Sequence, residues 1–171
     1  AASVTGCGRK GQGADFLLKK IAVLGAGAWG TALGSVFARQ GHDILLFGRD
    51  AALCEEINVS HTNAKYLGDI PLPARLSATN SLGEALDGAS IVFLVAPTQE
   101  LRTLALAIKD LVASDAILIN CAKGIHRESG LLPSRLLAEI MPDHVCGVLS
   151  GPSFAVEVAA GKPTAGTLAM P

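Results

Sequence analysis

The stretch Lys20-Ile21-Ala22-Val23-Leu24-Gly25-Ala26-Gly27-Ala28-Trp29-Gly30 constrains this chain more than any other. Ile21 to Leu24 is an apolar run of strand length, cut off by glycine. Gly25, Gly27 and Gly30 fall on the G-x-G-x-x-G spacing. Trp29, Ala32, Leu33, Val36 and Phe37 then recur at helical spacing, and the run stops at Gly41, a residue suited to the position just past a helix. The spacing alone is a weak signal, and the order strand, glycine turn, helix is what gives it meaning. In that context Gly25 permits the tight turn, Gly27 lets backbone amides approach a pyrophosphate, and Gly30 lets the helix pack close to the strand. The helix N-terminus turns its unpaired N–H groups and positive dipole end toward the phosphates. The plainer alternative is a tight strand-to-helix turn with no ligand; the context favours a dinucleotide.

The rest of the chain repeats this alternation. Strands are expected at Asp43 to Phe47, Leu76 to Thr79, Ile91 to Val95, Ala116 to Asn120, Val145 to Leu149 and Thr164 to Ala169. Helices are expected from Asp50, as N-cap, to about Asn58, and from the Ser81-Leu82-Gly83-Glu84 capping box to near Gly88. Others are expected at Gln99 to Val112, Leu132 to Met141 and Pro152 to Ala160. Val59 to Arg75, with Asn63, Gly68, Pro71 and Pro73, reads as a long irregular loop. Strands alternating with helices imply βαβ units, hence an α/β fold: a doubly wound, mainly parallel sheet with helices on both faces. The 171 residues are half hydrophobic with only 17% charged, as a sheet buried on both faces requires. Ala1 to Phe16 lacks any apolar period, so residues 1–19 read as a flexible leader or a non-native remnant, and residues 20–171 as a dinucleotide-binding domain.

Composition also excludes classes. A net charge of −1 without a basic stripe offers no general attraction to nucleic acid or anionic membrane, and no apolar run is long enough to span a bilayer. Cys7, Cys54, Cys121 and Cys146 lie far apart and match no metal spacing, so no metal is expected and the chain reads as reduced and cytoplasmic.

Ligands of such sheets bind outside the carboxyl ends of the strands. The second strand ends in Gly48-Arg49-Asp50, about where an acidic residue binds the ribose 2′-hydroxyl of NAD or an arginine accommodates the 2′-phosphate of NADP. Both residue types are present, so the choice between NAD and NADP stays open, and Asp50 also reads as a simple cap. The fourth strand ends in Ala96-Pro97-Thr98-Gln99, where proline turns the chain into its helix. The fifth ends in Cys121-Ala122-Lys123-Gly124, which points an ammonium at the cleft to hold a phosphate or polarise a carbonyl; a solvated surface charge is the alternative. The sixth ends in Ser150-Gly151-Pro152-Ser153-Phe154-Ala155. With Ser150 or Gly151 as N-cap and Pro152 at the first helical position, it reads as a second helix N-terminus and a second anion site.

Five motifs occur together: Gly25-Ala-Gly-Ala-Trp-Gly-Thr-Ala-Leu; Asn63-Ala-Lys-Tyr-Leu-Gly with Pro71-Leu-Pro73; Val95-Ala-Pro-Thr-Gln-Glu-Leu-Arg102; Ala122-Lys-Gly124; and Leu149-Ser-Gly-Pro-Ser-Phe-Ala155 through Gly161-Lys-Pro-Thr164. From about residue 20 to its end the chain resembles the amino-terminal half of the bacterial-type NAD(P)-dependent glycerol-3-phosphate dehydrogenases. The resemblance implies a Rossmann-like fold and reversible hydride transfer between NAD or NADP and dihydroxyacetone phosphate, giving sn-glycerol 3-phosphate for phospholipid synthesis. By matching position it implies that Gly25, Gly27, Ala28, Trp29, Gly30, Arg49, Tyr66, Lys123 and Ala155 contact cofactor. Lys123, Gly151 and Ser153 would hold substrate, with Lys123 orienting it. Ala28 stands where family members often carry serine. The family's second, mostly helical domain carries the proton-transfer lysine, and this sequence stops at Pro171. The expectation is therefore a cofactor-binding half that turns over little or no substrate alone and self-associates through an apolar domain boundary. Two other readings remain: the amino-terminal half of another two-domain NAD(P)-dependent dehydrogenase, and a non-catalytic nucleotide-binding module.

Overall fold

The computed structural model describes residues 18–171, so the expected leader lies, but for Leu18 and Lys19, outside the described residues. Lys19 is already tied in. Its N–H donates to His42 Nδ1 at 3.2 Å and its carbonyl accepts from Asp43 N, which sets the start of the first two strands.

Seven strands form one sheet: β1 (Lys20–Leu24), β2 (Asp43–Phe47), β3 (Leu76–Thr79), β4 (Ile91–Leu94), β5 (Ile117–Asn120), β6 (Cys146–Ser150) and β7 (Thr167–Ala169), in spatial order β3-β2-β1-β4-β5-β6-β7. All pairings are parallel except the last, where β7 returns antiparallel to β6. The order of the first six strands is the doubly wound Rossmann order. It reverses between β1 and β4, so the crevice at their carboxyl ends is the place for a ligand.

Burial explains the order. Ala22, Val23, Val92 and Leu118 are wholly inaccessible, because the central strands are covered on both faces. On one face Ile21, Val23, Ile44, Leu46, Phe93 and Ile119 pack with α1 (Ala28–Arg39) and α2 (Ala51–Ser60). On the other, Ala22, Leu24, Val92, Leu94 and Leu118 pack with α4 (Leu82–Leu86), α5 (Leu101–Ile108) and α6 (Pro133–Ile140). No helix among the described residues is long and apolar enough to cross a membrane.

Helix ends follow local chemistry. Asp50 caps α2, its Oδ1 accepting from Ala52 N at 3.0 Å and Leu53 N at 3.3 Å. Ser81 Oγ accepts from Glu84 N, but the expected capping box is only half formed, because the Glu84 carboxylate is taken by Thr79 Oγ1. Residues 59–75 are not all loop. α2 runs to Ser60 and stops where His61 adopts φ 49°, and a one-turn helix α3 (Ala64–Leu67) follows before Gly68 at φ +63°. The expected Gln99–Val112 helix begins as a 3-10 turn, Thr98–Glu100, and its regular part is α5 alone.

The largest departure is after β6. No helix begins at Pro152; α7 covers only Ala155–Ala159, with Phe154 as its N-cap, so the expected second helix N-terminus at Ser150–Pro152 is not there. The cause is non-local. A Cβ on Gly151 would sit 2.7 Å from Ala165 O, and Ser153 Oγ donates to Ala165 O at 3.2 Å. The returning chain therefore packs on 151–153 just before β7 and keeps the segment out of a helix.

Candidate functional site

The glycine turn links β1 to α1. Gly25 takes φ +133°, a conformation open to glycine, and a Cβ there would lie 2.3 Å from Val95 O. A Cβ on Gly30 would lie 1.8 Å from Gly25 O, so the first turn of α1 rests on the turn's own backbone. Gly27, the N-cap, differs: its φ of −77° suits any residue, and a Cβ would meet nothing within 4 Å. The free space at Gly27 faces the crevice. No side chain caps α1, so its first-turn amides are left for a ligand.

A cleft of about 600 Å³ opens there, lined by Gly25, Ala26 and Gly27 at one wall and Phe47, Gly48, Arg49 and Asp50 at the end of β2. Lys65 and Tyr66 of α3, Val95, Ala96 and Pro97 after β4, and Leu82, Glu100 and Leu104 complete it. The volume and the mainly apolar wall with few polar groups fit a cofactor-sized ligand. Lys65 Nζ lies 5.3 Å from the Tyr66 ring centroid, a cation–π pair at the rim. Arg49 Nη1 donates to Glu100 Oε2 at 3.2 Å across the mouth. The uncapped amides of α1 and the open space at Gly27 fit a pyrophosphate.

A second group of side chains lies beyond β5 and β6. Thr98 Oγ1 donates to Lys123 O at 2.6 Å, Gln99 Nε2 donates to Ile125 O, and Arg127 N donates to Gln99 Oε1. Asn120 folds its amide back on Ala122 N and O. The loop carrying Lys123 is thereby fastened to the one after β4. Lys123 Nζ donates to Gly151 O at 3.1 Å, and Thr164 Oγ1 donates to Ser153 Oγ at 2.9 Å. Burial pushes the neighbouring Cys121 thiol up to about 11 and so disfavours the thiolate, against the opposing effects of a Trp29 hydrogen bond and the Lys123 charge.

Gly25, Gly27, Arg49 and Tyr66 of the expected site therefore line one cleft, and Lys123, Gly151 and Ser153 form a group at adjacent strand ends. Ala28, Trp29 and Ala155 pack, partly buried, on the core, and Gly30 is buried beneath the turn.

Sequence reasoning assigned no role to Asn63. It is fully buried, and its Nδ2 donates to Ala26 O at 3.1 Å and to Thr31 Oγ1 at 2.8 Å, while Thr31 Oγ1 also reaches Ala26 O. One amide thus ties the segment bearing Tyr66 to the glycine turn. Asn63→Ala leaves Ala26 O with only the long Thr31 contact and is expected to cost about 1–3 kcal/mol. Urea unfolding should show a lower midpoint at unchanged slope; an unmoved midpoint would remove this role.

Comparison with known proteins identifies the lineage. The family described as "NAD-dependent glycerol-3-phosphate dehydrogenase N-terminus" matches residues 20–171. Glycerol-3-phosphate dehydrogenase [NAD(P)+] from an Exiguobacterium species is 46% identical over 155 residues, covering 89% of this chain and 46% of the relative. The Corynebacterium jeikeium protein of the same name is 45% identical over 152 residues, covering 88% and 46%. The crystal structure of glycerol-3-phosphate dehydrogenase from Coxiella burnetii superposes with TM-score 0.83 at 32% identity, covering 88% of this chain and 46% of that one. The chain spans about half the length of the relatives it matches. Similarity throughout the described sheet and the match from β1 to the last residue lead to one conclusion: the chain belongs to the NAD-dependent glycerol-3-phosphate dehydrogenase N-terminus family.

Proposed function

We propose that residues 20–171 form the dinucleotide-binding domain of an oxidoreductase acting between NAD(P)H and dihydroxyacetone phosphate, with sn-glycerol 3-phosphate as product. The observation that carries this is the uncapped start of α1 beside Gly27, opening into a cleft at the point where the strand order reverses. The bound nicotinamide supplies or takes up the hydride. The chain's own residues bind and orient. Amides of the Gly25–Gly30 turn would hold the pyrophosphate, Arg49 would meet the 2′ position of the adenosine ribose, and Tyr66, which lines the cleft from α3, would cover it. The family resemblance assigns Ala28, Trp29 and Ala155 to cofactor contact; in the fold they are partly buried against the core.

Lys123 carries the substrate role. Its ammonium has three donors, one of which is used by Gly151 O, so two remain for a carbonyl or phosphate oxygen. Gly151 and Ser153 border the same spot. As charge grows on the carbonyl oxygen, a fixed ammonium nearby lowers its energy. A reducing, cytoplasmic setting is part of the proposal, supported by the free thiols of Cys54, Cys121 and Cys146.

The test is a fluorescence titration of this chain with NADH and with NADPH. Saturable binding of at least one is expected; no saturable binding of either overturns the cofactor assignment. The substrate assignment is tested in a chain of the relatives' full length, where dihydroxyacetone phosphate should drive NADH oxidation. Oxidation by other ketones but not this one would overturn it.

A further inference from the structure

Two acidic side chains stand at the corner of the cleft where the adenosine ribose would sit, and they are not equivalent. One oxygen of Asp50 is committed to α2, Oδ1 accepting from Ala52 N and Leu53 N. Glu100 comes from the other side of the switch point, in the turn after β4, and has no such duty. Its Oε2 faces Arg49 Nη1 at 3.2 Å, and both residues line the cleft. The pair is open to water, with side chains 81% and 51% exposed, so it holds Arg49 in place without locking it.

Resting on the cofactor assignment above, we propose that Glu100 is a specificity-determining residue that selects the unphosphorylated ribose of NAD over the 2′-phosphate of NADP. The reasoning is electrostatic. A 2′-phosphate that took the Arg49 guanidinium would bring close to two negative charges within a few ångströms of the Glu100 carboxylate, which already partly neutralises that arginine. A 2′-hydroxyl meets no such penalty and can donate to a carboxylate oxygen. Arg49 alone would favour the phosphate; Arg49 paired with Glu100 does not. The glutamate reaches this corner from beyond β4, about fifty residues from the arginine it pairs with, so the usual inspection of the β2 end does not find it.

The experiment measures dissociation constants for NADH and NADPH on the wild-type chain and on Glu100→Gln, which keeps the shape and removes the charge. The ratio of NADPH to NADH affinity is expected to rise about fivefold or more in the variant, since removing a like charge near a surface phosphate gains on the order of one factor of ten at most. A second measurement varies ionic strength. In Glu100→Gln the NADPH to NADH affinity ratio should fall with salt, because the Arg49 attraction is unopposed and becomes screened. In the wild type, where Glu100 offsets Arg49, the ratio should change less. Saturable NADH binding with a ratio unmoved by the substitution overturns the role of Glu100 and leaves the cofactor assignment standing. No saturable binding of either cofactor to the wild type overturns the cofactor assignment and this inference together. Circular dichroism on Glu100→Gln confirms that a shifted ratio is read on a folded chain.

Discussion

Gly27→Asp is expected to abolish measurable cofactor binding while leaving the melting midpoint unmoved or slightly raised. The two effects should separate because nothing in the fold requires a glycine at 27, while the proposed pyrophosphate would. Its φ of −77° and ψ of −174° are extended backbone that any residue adopts, and a Cβ would touch nothing within 4 Å. It is also the N-cap of α1, where aspartate is preferred to glycine by a few tenths of a kcal/mol. The new carboxylate would accept from the very amides that a pyrophosphate needs, and would repel it besides. At partly screened contact distances that repulsion amounts to a few kcal/mol, so affinity should fall by about 100-fold or more. Titration and thermal melting on one preparation decide the matter. A variant that melts normally and still binds NADH with wild-type affinity would show that the phosphates do not sit at this turn.

Gly30→Ala should do the reverse. The added methyl would lie 1.8 Å from Gly25 O, a backbone atom that cannot swing aside, and Val23 closes the other side. Either α1 shifts off β1 or the turn at Gly25 opens, and Gly25 is itself held against Val95. Overpacking of this kind costs about 3 kcal/mol, of which alanine's better helix propensity returns at most about 1 kcal/mol. A chain of this size should lose roughly 4–10 °C in melting midpoint. Cofactor affinity falls as a secondary result, because the amides of α1 move with the turn. Calorimetry checks it, and a midpoint within a degree of wild type would mean that the helix and turn have room the structure does not show.

The two glycines also show what sequence could and could not disclose. The β1–turn–α1 unit was legible because its causes are local: an apolar run, glycines at fixed offsets and a helical period. The central strands were legible for the same reason, since burial on both faces leaves an unbroken apolar signature in Ile91 to Leu94. The helix expected at Pro152 to Ala160 exists only as α7, and its start moves to Ala155: proline after Ser150-Gly151 is a sound local signal for a helix start, whereas the contacts that decide the segment come from Ala165 and Gly166, over a dozen residues on. Asn63 and Glu100 lie within motifs but reveal no task in the sequence, because their partners Ala26 and Arg49 are 37 and 51 residues away. Arg49, Tyr66 and Lys123 could be named from position, but their grouping into a cleft and a separate strand-end cluster needed coordinates.

The bonds joining the loops after β4 and β5 bear on how tightly a ligand can be held. A lysine on a free loop would have to surrender backbone freedom, roughly 1–2 kcal/mol for each residue ordered, each time a ligand docked. Here Thr98, Gln99 and Asn120 have already immobilised the backbone from Ala122 to Arg127, and Lys123 leans on Gly151 before anything arrives. A ligand docking at Lys123, as proposed above, would have little more than the rotation of one side chain to freeze, so most of the attraction at the ammonium would be left to appear as affinity.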